Sequence, residues 1–335
     1  MSSTEPTAAQ RPLAIYFVDV EGGQSTLIVT PAGESLLIDA GFPGDGTFQS
    51  KPGDPAKARD AQRILAAARD AGVSRIDSLL VTHFHGDHDG GIVELAQLIP
   101  IRTFVDHDTV PLEAEAVAGT LDLFRRYAAV RAKARHIVPK PGDRLPLTDV
   151  DVTVVSSGGQ VVATPLPGAG SRNAACGAAP AVQEKIENPR STGVLIQFGR
   201  FRFLDLGDLV GAPLRSLVCP ADRIGPVDVY LITHHGNADA ADPATFAALR
   251  PRAAVMNNGP QKGGGAETFA TLHDIKNMDV WQLHRSTNPG ARNFADEQIA
   301  NLVETTANWI RVTANEDGSF VVMNQRTGKT RSYSR

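Results

Sequence analysis

Short apolar runs separated by glycine- and proline-bearing turns give the chain a mixed strand-and-helix pattern from end to end. Residues 13–20 (LAIYFVDV), 25–30 and 35–39 (SLLID) read as three strands. From Asp54 to Ala71 the pattern turns helical: Asp54 is placed to cap, Pro55 sits in the first turn, the body is rich in Ala and Arg, and Gly72 stops it. Residues 76–82 (IDSLLVT) predict a strand, and beyond Gly91 the spacing of Ile92, Leu95 and Leu98 marks one face of a helix. A further helix is expected over 112–129.

The second half continues in the same style. Residues 152–155, 193–198, 201–206 and 227–233 predict strands, Asp242-Pro243 opens a helix, and 253–256 is one more strand. Residues 309–333 predict a hairpin turned at Asp317-Gly318. No repeat and no linker-like tract interrupts the pattern, so residues 12–335 are expected to form a single α/β domain behind a disordered segment, 1–11. Two stretches, 42–53 and 156–192, are rich in Gly, Pro, Ala and Ser and carry no periodicity. The second exceeds the roughly 12–15 residues at which an unstructured loop becomes unusual, and reads as a lid, a rim or a disordered tract.

Composition narrows the function classes. Of 335 residues, 42% are hydrophobic, ample for a full-size core. Lys and Arg total 33 against 37 Asp and Glu, a net charge of −4, which argues against non-specific nucleic-acid binding driven by phosphate neutralisation. No apolar run approaches the roughly 20 residues needed to cross a bilayer. The opening MSSTEPTAAQRP has neither a basic nor an apolar region and does not read as a signal peptide. Cys176 and Cys219 are either two idle thiols or a single bridge, and a bridge requires an oxidising compartment. Both alternatives stay open, and the compartment with them: cytoplasmic, or periplasmic or secreted if a leader has been trimmed.

The strongest chemical signal is His83-Phe84-His85-Gly86-Asp87-His88, directly after the strand 76–82. Three imidazoles and one carboxylate supply nitrogen and oxygen ligands suited to zinc and other borderline divalent ions. His83 and His85, two apart on an extended exit from a strand, point toward one ion, and the turn at Gly86 lets Asp87 and His88 reach a second beside it. Four apolar strands end in such groups: Asp39 after 36–38, His83 after 80–82, Asp205 and Asp208 after 203–204, and His234-His235 after 231–233. Ligands in α/β sheets collect beyond the carboxyl ends of strands, which favours one shared rim.

These motifs resemble the metallo-β-lactamase-fold superfamily, over nearly the whole chain from Leu13 to Tyr333. The resemblance implies a four-layer αββα sandwich of two related halves. Asp39 matches the first motif and His83-x-His85-x-Asp87-His88 the metal motif. Asp208 looks like the carboxylate shared by two metals, and His234 or His235 like the last ligand. The inward alternation of the preceding strand favours His234, leaving His235 to contact substrate or donate a proton. Val18 to Ser25 (VDVEGGQS), Phe203 to Asp208 (FLDLGD) and Thr233 to Gly236 (THHG) look most like the hydrolase domain of the competence protein ComEC.

One motif departs. Many family members carry a histidine about twenty residues before the shared Asp, whereas this window reads Glu187-Asn188-Pro189-Arg190-Ser191, and the ComEC-like branch tends to carry Asn or Ser there. The first metal then has His83, His85, Asp208 and water or Asn188. His107 and His136 read as surface or supporting histidines rather than substitutes.

The function implied is that of a zinc hydrolase with two Zn2+ per chain, which activate a water held between them. Asp208 bridges, Asp87 holds the second zinc beside His88 and orients the nucleophile, and Asp39 fixes a ligand histidine. A phosphodiester is the expected substrate. A small ester, lactone or amide, β-lactams included, is the alternative. An iron oxidoreductase on the same fold is disfavoured because all three histidines of the cluster are kept, and a binding module without activity is disfavoured by the intact ligands. Asn258, Lys262 and His284 are candidate substrate contacts: Lys262 as a phosphate contact or a solvated turn lysine, His284 as a pocket-mouth or packed rim residue.

Overall fold

The computed structural model describes residues 11–47, 49–111, 119–177 and 187–335; the expected disordered segment 1–11 lies almost wholly outside them. The chain opens with β1 (Leu13–Phe17), β2 (Thr26–Val29), β3 (Ser35–Ile38), α1 (Arg59–Asp70), β4 (Ile76–Leu80), α2 (Ile92–Leu98), β5 (Ile101–Val105), α3 (Thr120–Arg131) and β6 (Arg135–Ile137). There follow β7 (Arg144–Leu145), β8 (Asp151–Ser157), β9 (Gln160–Val161), β10 (Gly193–Phe198), β11 (Phe201–Asp205), α4 (Gly211–Val218) and β12 (Val229–Leu231). Next come α5 (Pro243–Leu249), β13 (Ala253–Met256), α6 (Ala266–Asp274), β14 (Asp279–His284) and β15 (Ile299–Asn301). The chain closes with β16 (Ile310–Ala314), β17 (Phe320–Asn324) and β18 (Thr330–Tyr333).

The strands form two sheets. One runs β18-β17-β16-β1-β2-β3-β4-β5-β6, and the other β15-β14-β13-β12-β11-β10-β8-β7 with β9 against β8. The period-2 pattern of the sequence explains their stacking. On β1, Leu13, Ile15 and Phe17 enter the core between the sheets, while Tyr16 joins the outer core under α1, α2 and α3. On β11, Phe203 enters the central core and Leu204 the outer core under α4, α5 and α6. Phe17 and Phe203 meet edge to face across the two sheets at 5.6 Å. Both faces of each sheet are therefore buried, and the result is the four-layer αββα sandwich that the resemblance implies.

Several boundaries move. The first strand stops at Phe17, because residues 18–25 close on themselves through Val18 N–H to Ser25 O, around Glu21 and Gly22 at positive φ. Asp54 caps only a single 3-10 turn, Pro55–Lys57; an extended Ala58 breaks the chain, and α1 starts at Arg59. The helix expected over 112–129 is described as α3 from Thr120, with 112–118 outside the described residues. The strand expected over 227–233 shortens to β12, because the chain at Thr233 turns into the site. The closing hairpin turns at Gly318 as expected, and β18 adds a third strand.

The stretch 156–192 is not a plain loop in its described part. It contains the end of β8, all of β9 and a 3-10 turn, Asn188–Arg190. Asn173 Nδ2 donates to Val218 O and Ala244 O at 3.0 and 2.8 Å, and Cys176 is bridged to Cys219 with Cα atoms 5.9 Å apart. That bridge decides between the two readings of the cysteines.

Candidate metal centre

The carboxyl ends of β3, β4, β11 and β12 meet at one edge of the sandwich. Just beyond β3, Asp39 sits at positive φ, wholly buried, and accepts from Thr82 N at 2.8 Å and from Thr82 Oγ1 at 2.8 Å. Its Oδ2 also lies 2.7 Å from His88 Nδ1. With Nδ1 donating to this carboxylate, Nε2 of His88 is the nitrogen that faces the centre, and it becomes a ligand when an ion displaces its proton. The turn that carries Asp87 and His88 is tied by His88 N–H to His85 O, and it is so tight that a Cβ on Gly90 would stand 2.2 Å from Gly86 O and 2.4 Å from Pro43 Cδ.

Asp208 follows β11 through Gly207, which lies at φ +56 with Thr82 2.7 Å from where a Cβ would be. Only glycine fits this crossing between the two halves. Beyond β12, His234 and His235 both adopt left-handed backbone, with φ of 49 and 55. Two successive non-glycine residues in that region are strained, a condition that packing must hold in place. The consequence is that the two rings diverge.

Asp87, His88, Asp208 and His235 are buried together, one ligand atom from each lying within 4.8 Å of the others. His235 Nε2 is 3.2 Å from Asp87 Oδ2 and 3.2 Å from Asp208 Oδ1. His88 Nε2 is 3.3 Å from Asp87 Oδ2 and 3.2 Å from Asp208 Oδ2. His83 Nε2 is 3.8 Å from Asp208 Oδ2 and 3.0 Å from His85 Nδ1. His234 Nε2 approaches the same Oδ2 at 3.9 Å and lies 3.1 Å from Asn188 Nδ2. Asp208 thus meets His88, His83 and His234 at Oδ2 and His235 at Oδ1.

The electrostatics fit a cation. Burial lowers the pKa of His83 well below its usual value, helped by its neighbours His88 and His85, so its ring is neutral and able to coordinate. Burial opposes charge on Asp208, but His235, His88 and His234 hold it well below the usual carboxylate range. Asp87 is likewise held low against its burial, by Lys262 and His88. Burial disfavours charge on His88 too, yet Asp208, Asp87 and Asp39 raise its pKa well above the usual value. Asn188 Oδ1 is buried without a hydrogen-bond partner. Carboxylates crowded with imidazoles, and an orphaned oxygen beside them, are what a divalent ion satisfies, and the residues fit one.

The other candidates fall differently. Lys262 sits close against Asp87 Oδ2 and donates to Gly22 O at 2.6 Å. With Glu21, Phe42, Gln261 and Glu304 it lines a cavity of about 350 Å³ beside the centre. Asn258 is fully buried and donates to the backbone oxygens of Gly259 and His284, so it shapes its loop rather than facing that cavity. His284 is buried and paired with Asp19 at 2.8 Å. His107 is paired with Glu187 at 2.7 Å, and His136 with Asp106 at 3.0 Å; neither joins the Asp208 cluster. Two further groups of acids and a histidine, Asp19-Glu21-His284 and Asp106-Asp108-His136, are already met by cations, Arg59 and Arg63 in one case and Arg131 in the other.

Two partners of the centre carry no sequence signal. Asp239 Oδ1 lies 2.7 Å from His234 Nδ1, and Lys262 reaches Asp87 from 175 positions away. Short-range spacing does not encode either contact.

The model of the metallo-beta-lactamase superfamily matches residues 18–171. No curated protein sequence matches the chain. Among solved structures, the metallo-beta-lactamase fold protein YhfI from Bacillus subtilis is similar at 12% identity and a TM-score of 0.48, over 81% of this chain and 96% of that one. A diphosphatase of the PhnP family is similar at 12% identity and a TM-score of 0.42, over 80% and 94%. CmlA, a diiron β-hydroxylase from Streptomyces venezuelae, is similar at 17% identity and a TM-score of 0.39, over 75% of this chain and 45% of its own.

Proposed function

We propose that this chain, with its metallo-β-lactamase fold and its superfamily match over residues 18–171, is a hydrolase that uses two divalent metal ions, zinc first, and acts on a phosphodiester. The observation that carries the reading is the gathering of imidazole nitrogens around both oxygens of the buried Asp208 carboxylate. His83 and His85 would hold one ion and Asp87, His88 and His235 the other, with Asp208 common to both. Bound there, such ions act as Lewis acids and bring the pKa of a coordinated water toward neutrality.

The chain's own residues do the rest. Asp39 and Thr82 lock the His88 ring, so its nitrogen is presented without reorganisation. Asp87, kept ionised by Lys262 and His88, accepts a hydrogen bond from the attacking water and orients it. Lys262 places an ammonium at the edge of the centre, where charge grows on a non-bridging phosphoryl oxygen. The motifs similar to ComEC at 18–25, 203–208 and 233–236 support a phosphodiester.

A second reading, a small neutral ester, lactone or amide, is favoured by Glu304 on the cavity beside Lys262, since a carboxylate there repels a polyanion. Metal analysis of the purified protein, with turnover of bis-p-nitrophenyl phosphate, nitrocefin and simple lactones, separates the two. Two zinc ions with cleavage of the diester alone is the expected result. Cleavage of carbonyl substrates alone selects the second reading, and a metal-free protein inactive with added zinc overturns both.

A further inference from the structure

The tandem histidines differ in their surroundings. His235 is fully buried and its Nε2 belongs with Asp87 and His88. His234 turns the other way, its side chain 20% exposed, with the ring centroids 6.1 Å apart. Consecutive left-handed backbone at both positions makes this divergence possible, because the two side chains leave the chain in different directions. The loop is held there by His234 N–H to Gly207 O and Gly264 N–H to His235 O.

Three observations point to a ligand for His234. Its Nδ1 lies 2.7 Å from Asp239 Oδ1, the same arrangement that Asp39 makes with His88, so the proton resides on Nδ1 and the lone pair on Nε2. That Nε2 accepts from the Asn188 amide at 3.1 Å and lies 3.9 Å from Asp208 Oδ2. Asn188, only 3% exposed, keeps its Oδ1 buried without a partner beside it. The window in which many relatives place a histidine holds this asparagine instead.

We infer that His234, oriented by Asp239, is the third imidazole for the ion on the His83 and His85 side, so that the two adjacent histidines serve different ions. His234, adjoining Asn188 at 3.1 Å, here makes good the missing histidine from a different strand end. The inference rests on the two-ion reading above, and Asp239 becomes a positioning residue for that side.

Titration of apo-protein with Co2+ and Zn2+, followed by calorimetry and by the visible spectrum of cobalt, tests this without reference to turnover. The wild type is expected to take up two equivalents. H234A should keep one tight equivalent and bind the other at least 100-fold more weakly. H235A should weaken the opposite site, removing a different component of the cobalt spectrum. D239N should retain both equivalents with about 10- to 100-fold weaker binding at one of them, and D239E should restore most of that loss. Asp239 is half-exposed, so this pair keeps the test valid if H234A fails to fold. Wild-type affinity for both equivalents in H234A, or in D239N should H234A not fold, overturns the assignment. A loss of the same spectral component in H234A and H235A overturns it as well. A wild-type protein that binds no ion is a different failure, which removes the two-ion reading and this inference with it.

Discussion

Asp39 Oδ2 and His88 Nδ1 stand 2.7 Å apart, both side chains without solvent exposure, and this contact joins the end of β3 to the histidine turn after β4. It fixes the orientation of the His88 ring before any ion arrives. In D39N the amide nitrogen competes to donate where His88 now donates, so the ring loses its preferred orientation. Metal affinity should fall about 10- to 100-fold, and kcat/KM in proportion at limiting metal, as measured by competition with a chromogenic chelator. An affinity equal to wild type would show that the pair serves the fold alone.

Replacing Asp208 or His85 tests the centre itself. D208A removes the group shared by both sets of nitrogens, and H85A removes a half-buried ring that packs 4.6 Å from His83. Each should reduce turnover at least 1,000-fold while leaving the far-ultraviolet circular dichroism unchanged. Full activity in either variant contradicts the assignment.

Lys262 separates substrate classes. Its ammonium lies against Asp87 at the cavity mouth. K262M should lower kcat/KM for an anionic diester by about 100- to 1,000-fold, in the range found for losing one transition-state electrostatic contact. A neutral ester should lose much less. Equal losses on both would assign Lys262 to holding Asp87 rather than to recognising charge.

The bridge between Cys176 and Cys219 closes a loop with a sequence separation of 43 and anchors the segment before residue 178 to the end of α4. Loop-closure entropy gives it a contribution of about 4 kcal/mol. Reduction, or the double variant C176A/C219A, should lower the urea midpoint accordingly. An unchanged midpoint would mean that the anchoring hydrogen bonds of Asn173 suffice.

Asp60 supplies a pH signature away from the centre. Burial pushes its pKa up to about 6, although Arg59 and the Phe42 amide oppose the shift. A carboxyl whose pKa is higher folded than unfolded stabilises the protein at low pH, and that contribution is lost as the pH rises through the folded value. The stability of wild type minus that of D60N should therefore fall by about 3 kcal/mol from about pH 4 to 7. A flat difference in denaturant titrations across that range would refute the shift.

By itself the sequence determined what lies close along the chain. Alternation on β1, β2, β3 and β11 marks strands with two buried faces, and His83 to His88 declare a metal-competent turn, because side-chain direction over a few residues follows from backbone period alone. Short parallel strands such as β5, β14 and β15, and the helices α4 and α6, escaped that reading, since runs with so few apolar residues fit strand and helix equally. The ends of β3, β4, β11 and β12 were expected to share a rim. Only the tertiary structure decided which atoms meet on it: Asp39 with His88, Lys262 with Asp87, Asp239 with His234, and the two rings after β12 at different oxygens of Asp208. Those contacts depend on left-handed backbone and close crossings such as Gly207 over Thr82, which packing between the two halves imposes and local spacing does not encode.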